Sequence, residues 1–195
     1  MKSDEESFWS GSFGSSYTQR NRVKWSQRVP FWQNILEAMS LWPHNILEVG
    51  CNAGWNLNAI RHCDPEINLV GVDVCQDAII EAEEAGHECY LLGANQIDTL
   101  DEKFDLVFTA GVLIHVAPDN LDQVMDSIIA ASQRYVLAVE YASPVEEAVH
   151  YRGHDDKLWR RPFGVLYENK GLTVVDSGGA GPGFDACTYW LMRKP

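Results

Sequence analysis

From Asn45 onward, short apolar runs rich in β-branched residues alternate with stretches whose apolar side chains recur at helical spacing. Strands buried on both faces read as near-continuous hydrophobic runs, so this alternation is the pattern of a parallel sheet covered by helices. The runs predict strands at Asn45 to Gly50, Asn68 to Val74, Glu88 to Gly93, Phe104 to Thr109, Tyr135 to Tyr141, Leu172 to Ser177 and Cys187 to Arg193. Between them, helices are predicted at Trp55 to His62, Gln76 to Ala85, Asn120 to Ser132 and Lys157 to Asn169. Upstream, Val29 to Leu41 reads as a further helix with Phe31, Trp32, Ile35, Leu36 and Met39 along one side. Pro30 falls in its first turn, where no N–H is needed.

The last two strands are joined by Gly178 to Gly183, a loop too short for a crossover helix and suited to an antiparallel pair. The expected fold is therefore α/β: a Rossmann-like sheet of five parallel strands plus an antiparallel C-terminal hairpin, with helices on both faces. Residues 1–195 read as one domain, an aromatic, helical N-terminal cap over 1–42 on a Rossmann-like core over 43–195. Sheets of this kind bind ligands beyond the carboxyl ends of their strands.

A length of 195 residues fits one domain with a full core, and 46% hydrophobic with 22% charged residues excludes a disordered or collagen-like chain. The first residues hold Asp4, Glu5 and Glu6 and lack an apolar h-region, and no apolar run approaches the roughly 20 residues of a membrane span. Neither secretion nor a membrane is expected. The five cysteines are odd in number and show no C-x-x-C spacing, which points to no disulfide framework or structural zinc and to a reducing cytoplasm.

A net charge of −13 argues against a nucleic-acid partner, whose affinity rests on cation contacts. The charge is uneven. Residues 42–132 hold two cations and sixteen anions, whereas 13 of the 15 cations lie in the flanks. The acidic middle is a solvated face that keeps the domain soluble, or the flanks supply cations to an anionic ligand; the sequence leaves both open.

Candidate chemistry gathers at the strand ends. The first strand runs through Glu48 and Gly50 into Cys51, Asn52 and Gly54, where the glycines let the backbone turn sharply and a ligand approach closely. Asn52 stands in place of the middle glycine of G-x-G-x-x-G, which weakens a NAD or FAD assignment. The second strand ends in Asp73 and Val74, and a carboxylate there can accept hydrogen bonds from both ribose hydroxyls of an adenosine-containing ligand. After the third, Ala94 and Asn95 can frame a purine edge, and Thr109 and Ala110 close the fourth against the same ligand.

His115, just past the fourth strand, is the candidate general base, since a histidine of pKa roughly 6.5 can take a proton at neutral pH. A hydrogen-bonded loop histidine is the alternative. Glu140 or Tyr141, ending the fifth strand, is a second catalytic candidate. For the acceptor, Tyr17 and Arg20 in the aromatic segment Phe8 to Trp25, and Tyr151, Arg152 and His154 farther on, suit a polar or anionic molecule under a lid. The same aromatics also suit a simple staple of the cap onto the sheet. His150, His154, Asp155 and Asp156 are disfavoured as a metal cluster, because adjacent acids are equally explained at a helix N-terminus; no metal is expected.

The E-x-G-x-x-x-G turn from Glu48, the acid closing strand two, the seven strands and the terminal hairpin resemble an S-adenosylmethionine-dependent methyltransferase of the Rossmann-like kind. More narrowly, Phe8 to Gly14, Tyr17 to Asn21, Glu48 to Leu57, Gly111 to Leu121 and Tyr151 to Leu158 are similar to the family called pseudaminic acid biosynthesis-associated methylases. Val116 and Ala117 before Pro118 depart from the bulkier or polar pair expected there. The resemblance implies S-adenosylmethionine as methyl donor and S-adenosylhomocysteine as product. It also implies a small-molecule acceptor, a hydroxyl or amine of a sugar, sugar nucleotide or comparable polar metabolite. Competing functions are a non-catalytic sensor or partner subunit that binds the donor without turnover, and a nucleotide- or protein-modifying methyltransferase.

Overall fold

A computed structural model describes residues 3–195. Seven strands form one sheet: β1 (Asn45–Val49), β2 (Asn68–Asp73), β3 (Glu88–Leu91), β4 (Phe104–Ala110), β5 (Ser132–Glu140), β8 (Thr173–Gly179) and β9 (Thr188–Arg193). Their order is β3-β2-β1-β4-β5-β9-β8, with β1 to β5 parallel and β9 antiparallel to both neighbours. All seven expected strands are present. The order in which strands are added reverses at β1, with β2 and β3 on one side and the parallel β4 on the other, and the ends of β1 and β4 lie level, with Val49 opposite Thr109. That switch point is where a doubly wound sheet leaves a crevice.

Alternation along the strands feeds two cores. Ile46, Leu106, Phe108 and Leu137 face α3 (Val29–Ala38), α4 (Trp55–Cys63) and part of α5 (Gln76–Glu84). Leu47, Val107, Val136 and Met192 face α6 (Pro118–Ala131) and α7 (Phe163–Asn169). Burial of both faces explains why the strands read as unbroken apolar runs. With Phe31, Trp32, Ile35 and Leu36 buried, α3 packs as part of the sheet's own covering, so the cap proper is α1 (Asp4–Trp9) and α2 (Ser12–Arg20). Among the described residues no helix is long and apolar enough to cross a membrane.

One expected helix is corrected. Asp155 to Lys157 form a bend, and Trp159–Arg160 (β7) pairs antiparallel with Glu147–Ala148 (β6). The helix starts only at Phe163, after Pro162. Proline offers no N–H and biases the residue before it away from helical backbone, so the element cannot run through Arg161 and Pro162. At the other junction, Ser132 to Arg134 belong to β5 and α6 starts at Pro118.

Candidate functional site

A cavity of about 510 Å³ opens at the carboxyl ends of β1, β2 and β4, beneath α1 and α2. Its floor is the turn after β1. Gly50 and Cys51 both donate their amides to the Val72 carbonyl, at 2.8 and 2.9 Å. Gly50 has φ +76°, and a Cβ there would overlap the Val112 side chain. Asn52 also lies in the left-handed region, and its amide donates to Asp73 Oδ2 at 2.9 Å while the Cys75 amide donates to Oδ1 at 2.9 Å. Burial pushes the Asp73 carboxyl above its ordinary value against the pull of these amides. The carboxylate is thus aimed by the backbone, with lone pairs left for a ligand.

Glu48, Gly50, Cys51, Asn52, Asp73, Val74, Ala94, Asn95 and Ala110 all line the cavity. Gly54 and Thr109 do not. Gly54 caps α4 in a left-handed conformation against His87, and Thr109 is buried behind the wall.

Beneath the turn runs a polar chain. Glu48 Oε1 accepts from Asn56 Nδ2 at 2.6 Å, and Asn56 Oδ1 accepts from Arg28 Nη1 at 2.9 Å. Arg28 Nε donates to the Gly183 carbonyl at 2.9 Å, and the guanidinium lies over the Phe184 ring. Glu48 Oε2 is buried without a partner, and burial raises the Glu48 carboxyl to about 8 despite Asn56 and Arg28. The Arg28 guanidinium is itself pushed below its ordinary value by burial.

His115 sits at the cavity wall on a 3₁₀ turn, Leu113–His115. Its ring centroid is 4.6 Å from Trp9 of α1 and 5.1 Å from Tyr151. This enclosure lowers its pKa to about 4. Glu140 is fully buried directly below the turn and does not reach the cavity: it accepts from the amides of Val112 (3.2 Å), Leu113 (3.1 Å) and Ile114 (3.3 Å). Arg161, also fully buried, donates to the Leu113 carbonyl at 2.9 Å and to Glu146 at 2.7 Å. Glu140 is therefore corrected from catalytic candidate to anchor of the turn. Tyr141 also stays off the cavity wall; its hydroxyl donates to Asp185, a lining residue, at 3.0 Å.

The acceptor candidates divide. Tyr17 and Arg20 line the cavity; burial raises the Tyr17 phenol to about 12, and Arg20 lies over Phe13. Tyr151, Arg152 and His154 do not line it. Tyr151 and His154 form a tight bridge around Arg152, which has φ +50°, and their rings brace the cap from outside, His154 against Phe8 and Tyr151 against Phe13. His150 pairs with Asp155 at 2.6 Å, and among the described residues no group of three or more His, Cys, Asp or Glu is placed to hold a metal.

Trp9 belongs to the aromatic segment read as an acceptor cover, whereas Arg28, Asn56, Asp185 and Arg161 were not singled out by sequence. Asn56 and Arg161 carry a partial signal, polar residues amid apolar positions of buried elements. Asp185 in a glycine-rich loop carries none.

Residues 47–132 match the family model described as a methyltransferase domain. No curated protein matches the chain. Among solved structures it is similar to magnesium protoporphyrin IX methyltransferase (ChlM) from Synechocystis PCC 6803 with bound SAM, at 13% identity and TM-score 0.73, over 100% of this chain and 99% of that one. It is also similar to Burkholderia thailandensis 1,6-didemethyltoxoflavin-N1-methyltransferase, bound to 1,6-didemethyltoxoflavin and S-adenosylhomocysteine. That match has 16% identity and TM-score 0.75, over 100% and 91% of the two chains. A third is the N-terminal domain of EvdMO1 in the presence of SAH and D-fucose, at 14% identity and TM-score 0.64, over 87% and 83%. At these identities the likeness is one of fold.

Proposed function

We propose that this chain, whose residues 47–132 match a methyltransferase domain model, transfers a methyl group from S-adenosylmethionine to a hydroxyl or amine of a small polar metabolite. The observation that carries the proposal is a single cavity lined by both an amide-aimed carboxylate, Asp73, and an enclosed histidine, His115.

The residues present fit the donor. Asp73 has lone pairs for ribose hydroxyls, and the glycine at position 50 leaves room a Cβ would fill. The unpartnered Glu48 oxygen suits the donor's ammonium, and Arg28 suits its carboxylate. When bound, the sulfonium supplies an electrophilic methyl group.

The chain's own part is positioning, water exclusion and proton handling. Trp9 and Tyr17 cover the site, and His115 offers Nε2 to the proton leaving the acceptor. A sugar or sugar nucleotide is the acceptor favoured by the narrower resemblance to pseudaminic acid biosynthesis-associated methylases; the phenol of Tyr17 and the Asp185 carboxylate suit its hydroxyls.

The test pairs calorimetry with S-adenosylhomocysteine and turnover of S-adenosylmethionine across sugars, sugar nucleotides and amines. Binding with turnover supports the proposal, binding without turnover on any acceptor supports a sensor, and absence of binding overturns it.

A further inference from the structure

Gly71, in the middle of β2, faces two sulfurs at once. A Cβ on it would stand 2.7 Å from Cys51 Sγ and 3.0 Å from Cys89 Sγ, so both thiols fill the space above one α-carbon. Cys89 sits opposite Gly71 on β3, and Cys51 reaches over from the turn after β1. No other pair among the five free cysteines shares such a point in the described residues.

We propose that Cys51 and Cys89 are a peroxide-sensitive dithiol beneath the donor-binding turn, and that their oxidation to a disulfide switches off donor binding. The dithiol stands on the geometry alone; its effect on binding rests on the function proposed above.

Cys51 lines the cavity, which gives a small oxidant access although the two residues are only 2% and 7% exposed. Cys51 Sγ donates to the Asn52 carbonyl at 3.5 Å, and the facing sulfur pushes the Cys51 thiol well above its ordinary value and the Cys89 thiol below its own, so the thiolate is favoured at Cys89. A thiolate is the form that reacts with peroxide. One sulfur attacks a peroxide oxygen, breaking the O–O bond and leaving a sulfenic acid and one water. The second sulfur displaces the sulfenic oxygen as a second water and forms the S–S bond. Two thiols and one hydrogen peroxide give one disulfide and two waters.

Bonding requires the sulfurs to close to about 2.05 Å. Closure draws the turn at Cys51 toward β3 and with it Gly50, seated on Val112, and Asn52, whose amide aims Asp73. The donor site is distorted at its floor.

The full chain is treated with hydrogen peroxide and mapped by mass spectrometry without reduction, and S-adenosylhomocysteine affinity is measured before and after. The expected result is a Cys51–Cys89 linked peptide, an intact mass lower by about 2 Da and affinity reduced at least about tenfold. Dithiothreitol should restore both. Cys89→Ser should keep its affinity after peroxide, and saturating S-adenosylhomocysteine should slow linkage in the wild type. Absence of the linked peptide, linkage of another pair, or a linked protein of unchanged affinity overturns the proposal. Mapping the wild type decides the dithiol even if the variant fails to fold. If the reduced protein does not bind S-adenosylhomocysteine, the proposed function fails while the mapping still decides the disulfide.

Discussion

His115 Nδ1 lies 2.6 Å from the carbonyl oxygen of Lys157, a residue 42 positions away in sequence. A carbonyl only accepts, so Nδ1 carries the proton and Nε2 keeps its lone pair. The backbone of the segment before β7 thereby fixes the tautomer of the proposed base.

If Nε2 accepts the acceptor's proton, His115→Ala should lower turnover about 10²- to 10⁴-fold with S-adenosylhomocysteine affinity nearly unchanged. Trp9 encloses the ring, and enclosure is the main cause of its pKa of about 4. Trp9→Ala should therefore raise that pKa toward roughly 6.5. A histidine-selective NMR titration reads the change; an unmoved His115 would place its desolvation elsewhere.

Arg28 and Asp73 should separate the two ends of the donor. Arg28→Ala is expected to weaken S-adenosylhomocysteine while leaving 5′-methylthioadenosine, which lacks the amino-acid moiety, almost unaffected. Asp73→Asn is expected to weaken both by about tenfold or more, since hydrogen bonds to a charged group are each worth roughly 1.5–3 kcal/mol. Calorimetry with the two ligands checks the pattern, and equal losses for Arg28→Ala would remove it from the carboxylate.

Glu140 satisfies two buried amides and one half-buried one, so Glu140→Ala should destabilise the fold by about 3 kcal/mol or more, read from urea unfolding. Tyr141→Phe, which loses one exposed hydrogen bond, should cost no more than about 1 kcal/mol.

Stability should fall between pH 6 and 8. Burial raises Glu140 to about 7 and Glu48 to about 8, so each contributes fully below its unfolded value near 4.5 and loses that contribution as pH rises through the folded value. His87 and His115, both lowered to about 4, act oppositely: their contribution is full above roughly 6.5 and is lost as pH falls through 4. Between these limits the two sets offset each other. Chemical denaturation across pH checks the decline, and Glu48→Gln should reduce its slope.

Gly50→Ala should destabilise by about 1–3 kcal/mol and weaken donor binding together, because φ is +76° and the methyl overlaps Val112. Thermal melts with and without S-adenosylhomocysteine measure both effects.

The sheet was legible because strands such as Leu69 to Val72, buried on both faces, carry runs of β-branched residues. Asp73 and the turn from Gly50 were legible because strand ends in this topology converge. What escaped depends on direction or on distant partners. Glu140 stands at the expected place, yet its carboxylate points under the Leu113–His115 turn instead of into the cavity. Arg28 meets Gly183 across 155 residues, and no local pattern reports such a pairing. Tyr151 and His154 were read as acceptor groups from composition alone; their tight bridge keeps them off the cavity wall, against the cap.

The matched segment 47–132 contains His115 but none of the three groups that hold it or its turn: Glu140, Lys157 and Arg161 lie farther along the chain. Transplanted into another scaffold, that segment would bring the turn from Gly50 with its link to Asp73, but not Arg28, and the imidazole with its proton unassigned. The turn travels with its segment while the proton position on His115 depends on the host, so divergence in the C-terminal third can retune the imidazole without touching the Gly50 turn or Asp73.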